Sequence, residues 1–92
     1  MNLLLRLKGE YFKEIQEGKK EFEYRLKTPY WAARLVGKKY EKIVITHGYP
    51  KMTELDRILV FPWKGWELHT ITHKHFGPDP VEVFAIKLEA KT

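Results

Sequence analysis

The chain's most reactive spacing is two lysines followed by an acid and a base. Lys19 and Lys20 follow Gly18, and Glu23 and Arg25 come next at alternate positions. A lysine at such a turn holds a phosphate as a point charge, acts as a base once desolvation lowers its pKa, or simply stays solvated. A carboxylate nearby favours the ammonium form and opposes that shift. Positions 20 and 23 fall on opposite faces of a regular strand, whereas 23 and 25 share one. On that shared face Glu23 and Arg25 form either an exposed ion pair worth about 0–1 kcal/mol or the polar wall of a pocket. In a pocket, Glu23 accepts a hydrogen bond from a base amino group and Arg25 grips a phosphate with its fork. Both readings stay open at this point.

A second constellation lies on Tyr30, Trp31, Arg34 and Leu35. On a helix, Tyr30 and Arg34 share one face, an aromatic–cationic pair suited to stacking on a base and holding its phosphate. Trp31 and Leu35 share the neighbouring face and are expected in the core. Of the four histidines, His47, His69, His73 and His75, the last two form H-x-H. An extended chain would put both rings on one side, but zinc needs three or four ligands and no third partner has the right spacing. No metal and no cofactor are expected, and the histidines suit a polar pocket or a nucleic-acid contact. Trp63 and Trp66 flank Lys64-Gly65 and read as packing anchors rather than stacking platforms. The chain has neither serine nor cysteine, which removes a serine or thiol nucleophile, disulfides and thiolate metal sites.

Ninety-two residues, 43% of them hydrophobic and 14% aromatic, suit a single domain over 1–92 with a packed core rather than a disordered chain. The formal charge is +5 and the pI near 9.5, a balance that favours a polyanionic partner. Leu3-Leu4-Leu5 is soon broken by Arg6 and Lys8. It is too short for a signal sequence or a membrane span, so a cytoplasmic location is expected.

The elements that must position these groups follow from periodicity. Strands are expected at Leu3–Leu7, Lys20–Leu26, Lys42–Thr46, Arg57–Phe61, Trp66–Thr72 and Val81–Leu88. Helices are expected at Gly9–Glu17, stopped by Gly18, and at Pro29–Val36, capped by Thr28 and stopped by Gly37. Lys20–Leu26 alternates between an apolar face (Phe22, Tyr24, Leu26) and a charged one (Glu21, Glu23, Arg25). Lys64-Gly65 suggests a hairpin joining its flanking strands. Loops are expected at 47–56 and 76–80. Val81–Leu88, apolar on both faces, should be a central strand. The fold class is α+β: a small barrel of about six mostly antiparallel strands, with two short helices at its ends.

The succession Glu10-Tyr11-Phe12, Gly18-Lys19-Lys20, Phe22-Glu23-Tyr24-Arg25 resembles the signature of the ASCH domain family, part of the PUA-like β-barrel superfamily. Three downstream blocks, Thr28–Trp31, Thr46–Lys51 and Thr72–Pro78, look like a short phage- or prophage-type branch of it. The resemblance implies a PUA-like barrel that binds RNA or a modified nucleotide. It implies two enzymatic alternatives on the same cleft: hydrolysis of N4-acetylcytidine or cleavage of single-stranded RNA. In the amidohydrolase type, a lysine at the G-K-K turn, a threonine three residues on and a distant glutamate do the chemistry. Lys20 matches the lysine, Glu23 stands where that type has threonine, and no glutamate is assigned to the distant role. Lys20 and Glu23 are thus the expected catalytic pair, and Lys19, Lys20, Arg25, Tyr30, Arg34 and Lys51 the expected nucleic-acid contacts. The expected partner is RNA or a modified nucleoside, with no membrane involved and the oligomeric state open. A further alternative is a phage-encoded protein that docks its basic face on a host protein.

Overall fold

The computed structural model describes residues 1–51 and 53–89, with His75 through its backbone alone. Strand β1, Leu3–Leu7, buries Leu3, Leu5 and Leu7 and turns Leu4 and Arg6 outward, the alternation its sequence dictates. Helix α1, Gly9–Gln16, places Phe12 and Ile15 on the core and ends before Gly18, whose φ of 73° only glycine adopts freely. Strand β2 spans Phe22–Leu26. Helix α2, Pro29–Leu35, starts with proline in its first turn, and the Thr28 hydroxyl accepts the Trp31 N–H at 3.3 Å. Strand β3, Lys42–His47, is followed by a 3-10 turn at Leu55–Arg57 and strand β4, Ile58–Pro62. Strand β5 is Trp66–Ile71, a second 3-10 turn is Lys74–Phe76, and β6 is Val81–Lys87.

The six strands form two three-stranded sheets, ordered β1-β3-β4 and β2-β6-β5. In the first, β1 runs parallel to β3 with Leu5 opposite Ile45, and β3 is antiparallel to β4. In the second, β6 lies between β2 and β5, antiparallel to both. The expected α+β class, six strands, two helices and mostly antiparallel pairing all hold. The pairing resolves into two sheets and does not close them into one.

Burial follows the centre of each sheet. Val83, Phe84, Ala85 and Ile86 of β6 are all buried, as a strand covered on both faces requires. Leu3, Leu5, Ile43, Ile45 and Leu35 meet Phe84 and Ile86 in one core cluster. Trp66 packs edge-on against Phe84 at 4.9 Å and donates its indole N–H to the Leu35 carbonyl at 3.1 Å. Trp63 packs on Tyr40 at 5.0 Å. Both tryptophans are therefore packing anchors, as expected.

Four expectations need correcting. Lys64-Gly65 is not a hairpin turn: β4 pairs with β3 and β5 with β6, so this segment carries the chain from one sheet to the other. Strand propensity marked both arms, but the choice of partner is a long-range packing decision. The second strand begins at Phe22 rather than Lys20, so Lys20 escapes strand alternation. Arg57 belongs to a 3-10 turn that precedes β4. His73 leads into another such turn, so the extended backbone expected for H-x-H is not what the chain adopts there; the His75 side chain lies outside the described residues.

Gly9 is fixed by proximity rather than by backbone angle. A Cβ there would stand 2.9 Å from His47 Nε2, whose ring stacks on Phe12 at 5.6 Å. His47 is thus part of the packing between α1 and the end of β3.

Candidate functional site

An open cavity of about 350 Å³ lies between the end of β1 in one sheet and β2 in the other. Its size is at the lower end of the range for small-molecule sites, about 300–1,000 Å³. β1 and the residue after it supply Arg6, Leu7 and Lys8; α1 supplies Tyr11; α2 supplies Trp31. Lys20, Glu23, Tyr24, Arg25 and Leu26 form the β2 wall, and His73 and Phe76 close the side near the second 3-10 turn.

The centre of the β2 wall is Glu23, 5% exposed. Strand β2 turns Glu23 and Arg25 to the cavity and leaves Phe22 and Tyr24 partly exposed and Leu26 exposed. Glu23 Oε1 accepts from Lys20 Nζ at 3.0 Å, and Oε2 lies 3.1 Å from Arg25 Nη2. Lys20 reaches the carboxylate because it precedes the strand. The two cations differ in character. Lys20 Nζ also stands 5.6 Å from the Tyr11 ring centre and 5.8 Å from that of Tyr24. Arg25 lies over the Trp31 ring at 4.9 Å. Its Nε and Nη2 are buried and have no hydrogen-bond partner among the described residues. The Glu23 contact is thus ionic without the alignment of a hydrogen bond. A bidentate grip needs two outward N–H groups, so Arg25 serves better as a stacked, half-buried charge than as a phosphate fork.

The other expected residues fall outside this wall. Tyr30 is 59% exposed, with Arg34 over its ring at 4.6 Å, so the predicted aromatic–cationic pair forms. It stands behind Trp31, which Arg34 also approaches at 6.0 Å, and does not line the cavity. Trp31 is half-buried, touching the core on one side and the cavity on the other, whereas Leu35 is fully buried. Lys19 is an exposed turn lysine paired with Glu17 at 3.3 Å.

Lys51 is exposed, and its backbone N–H donates to Glu54 Oε1 at 2.9 Å. Arg57 Nη1 donates to Glu54 Oε2 at 3.0 Å, and its Nη2 to the His47 carbonyl at 2.6 Å. First the Lys51 N–H and then the Arg57 guanidinium hold the Glu54 carboxyl below its usual 4.5. This ties the loop after β3 down and gives Lys51 a backbone role. His69 packs on Phe22 at 4.9 Å and bonds Glu67 at 2.8 Å on the outer face of the second sheet. Among the described residues no group of three His, Asp or Glu could hold a metal ion.

Arg6, Lys8, Tyr11, Tyr24 and Phe76 enter the site without having been expected there, whereas His73 joins it as one of the histidines suited to a polar pocket. Arg6 Nη1 donates to the Gly48 carbonyl at 3.1 Å, and its guanidinium covers Tyr49 at 4.2 Å. The signal for Arg6 and Lys8 was present: they alternate with buried Leu7, which puts both on the opposite side of the chain. No helix among the described residues is long and apolar enough to cross a membrane. No family model, curated protein or solved structure matches the chain.

Proposed function

We propose that this chain is an ASCH-type domain with a PUA-like barrel architecture that binds RNA or a modified nucleotide in the cavity between β1 and β2. The observation that carries the reading is the β2 wall: a buried carboxylate held by two cations, with aromatic rings beside both. Glu23 offers an acceptor to a base amino group, Trp31 offers a face for stacking, and the net charge of +5 favours phosphate. A lysine donating to a carboxylate at 3.0 Å serves as a cation rather than as a base, which weighs toward binding.

The test is binding of labelled single-stranded RNA as salt rises from about 50 to 200 mM. Affinity should fall by about 0.7 decades per decade of salt for each phosphate contacted. Arg25→Ala, which frees both Trp31 and Glu23, should weaken binding about tenfold, the effect of losing roughly 1.4 kcal/mol. Lys64→Ala, outside the cavity, should change it far less. Equal effects from the two variants would reduce the interaction to diffuse charge attraction.

The second reading, hydrolysis of N4-acetylcytidine, rests on Lys20 and Glu23 meeting at the cavity wall. Turnover by the wild type that disappears in Lys20→Ala would establish it in place of simple binding. Absence of turnover by the wild type would remove it.

A further inference from the structure

The two long walls of the cavity carry charge in different states. On the β2 wall, Lys20 and Arg25 share the Glu23 carboxylate, so half of their charge is answered. On the β1 wall, Arg6 and Lys8 face the same space and make no ion pair among the described residues: Arg6 is held by a neutral carbonyl and an aromatic ring. Among the described residues the cavity sets four cations against one carboxylate. Such an imbalance calls for an anionic ligand, and its location gives that ligand a direction.

We infer that the cavity takes a phosphorylated nucleoside whose phosphate is read by Arg6 and Lys8, with the base lying against the β2 wall. This rests on the nucleotide-binding reading above and deepens it by adding the phosphate and the ligand's orientation. Arg6 and Lys8 leave the chain on one side, two positions apart, so both reach one phosphate. Arg6 is already oriented by Gly48 and Tyr49, so little rotamer freedom is lost when it engages. The base, in turn, meets a carboxylate acceptor and the Trp31 ring. A volume of about 350 Å³ suits a single nucleotide rather than a run of stacked bases. The same chemistry arrives as a free mononucleotide or as the phosphorylated end of an RNA strand.

The experiment compares cytidine with cytidine 5′-monophosphate, and a 5′-phosphorylated with a 5′-hydroxyl oligonucleotide, by titration at low salt. The monophosphate should bind at least about tenfold more tightly than the nucleoside, as one charge-assisted phosphate contact predicts. Arg6→Gln and Lys8→Gln, both at exposed positions, should each pull that ratio toward one. A preference for the phosphorylated oligonucleotide alongside the mononucleotide preference would identify the strand end as a source; the mononucleotide preference alone would identify the free nucleotide. Equal affinities for nucleoside and monophosphate would overturn the inference, as would a ratio that neither variant alters. Binding of RNA without any binding of mononucleotide would overturn it and leave the broader reading standing, whereas failure of every ligand to bind would sink both.

Discussion

At the residue scale, Glu23 is the hinge of the site. A carboxylate buried to this degree persists because two cations answer it, and each cation is in turn settled by an aromatic ring. Removing the acid leaves Lys20 and Arg25 facing each other across an emptied position. Glu23→Ala should therefore cost about 1–3 kcal/mol of stability, the penalty for stranding partly buried polar partners. Lys20→Ala should cost less, because the Lys20 side chain is 22% exposed and water replaces part of what it provides. Urea unfolding of the two variants measures the difference. A Lys20→Ala penalty as large as that of Glu23→Ala would show that the carboxylate does not anchor the wall.

At the scale of elements, the site depends on short pieces held at their ends. Helix α2 has seven residues, too few to be stable by propensity alone, yet it carries Trp31 to the cavity. Its start is secured by the Thr28 hydroxyl on the Trp31 N–H itself. Thr28→Ala should lower stability by about 1 kcal/mol, and Thr28→Ser should recover most of it, since the serine hydroxyl caps equally well. A thermal midpoint unchanged in Thr28→Ala would mean that packing by Leu35 holds the helix unaided.

The loop after β3 is secured differently, through charge. Glu54 has a depressed pKa in the folded chain, so it contributes stability at neutral pH and loses it as pH falls below 4.5 toward the folded value. Wild type should thus be more stable than Glu54→Gln at neutral pH, with the gap closing on acidification below 4.5. A gap independent of pH would assign the effect to something other than the carboxylate's charge.

At the scale of the whole molecule, two sheets share one core, and the cavity opens where β1 of one faces β2 of the other. The central strands, β3 and β6, have partners on both sides and the deepest burial, whereas β4 and β5 are outer members of their sheets. Amide exchange should therefore be slowest at Ile43–Ile45 and Val83–Ile86, with β4 and β5 exchanging faster and independently of each other. Joint protection of β4 and β5 as one unit would contradict the sheet assignment, because it would require the hairpin that the strand pairing lacks.

Local patterns were enough for the elements and for some of their ends. Alternation around Leu3–Leu7, the glycine stop at Gly18, the Thr28-Pro29 start and the doubly apolar Val81–Leu88 are properties of a few neighbouring residues, and each appears in the fold as read. The Tyr30–Arg34 pair formed for the same reason, since helical spacing alone brings the two together. Partner choice is not local. Whether Trp66–Ile71 returns on β4 or crosses to β6 depends on which pairing buries Trp66 against Phe84 and lets its N–H reach Leu35. The site was divided in the same way. Glu23 and Arg25 shared a face by strand geometry, but which face met the cavity was decided when β2 packed beside β6. Arg6 and Lys8, 17 positions before Glu23 and Arg25, joined that cavity because one core holds both sheets and brings the ends of β1 and β2 to one space. Sequence spacing acts through bonds and turns of a few residues; the convergence of four cations on one space is the work of the packed core behind them.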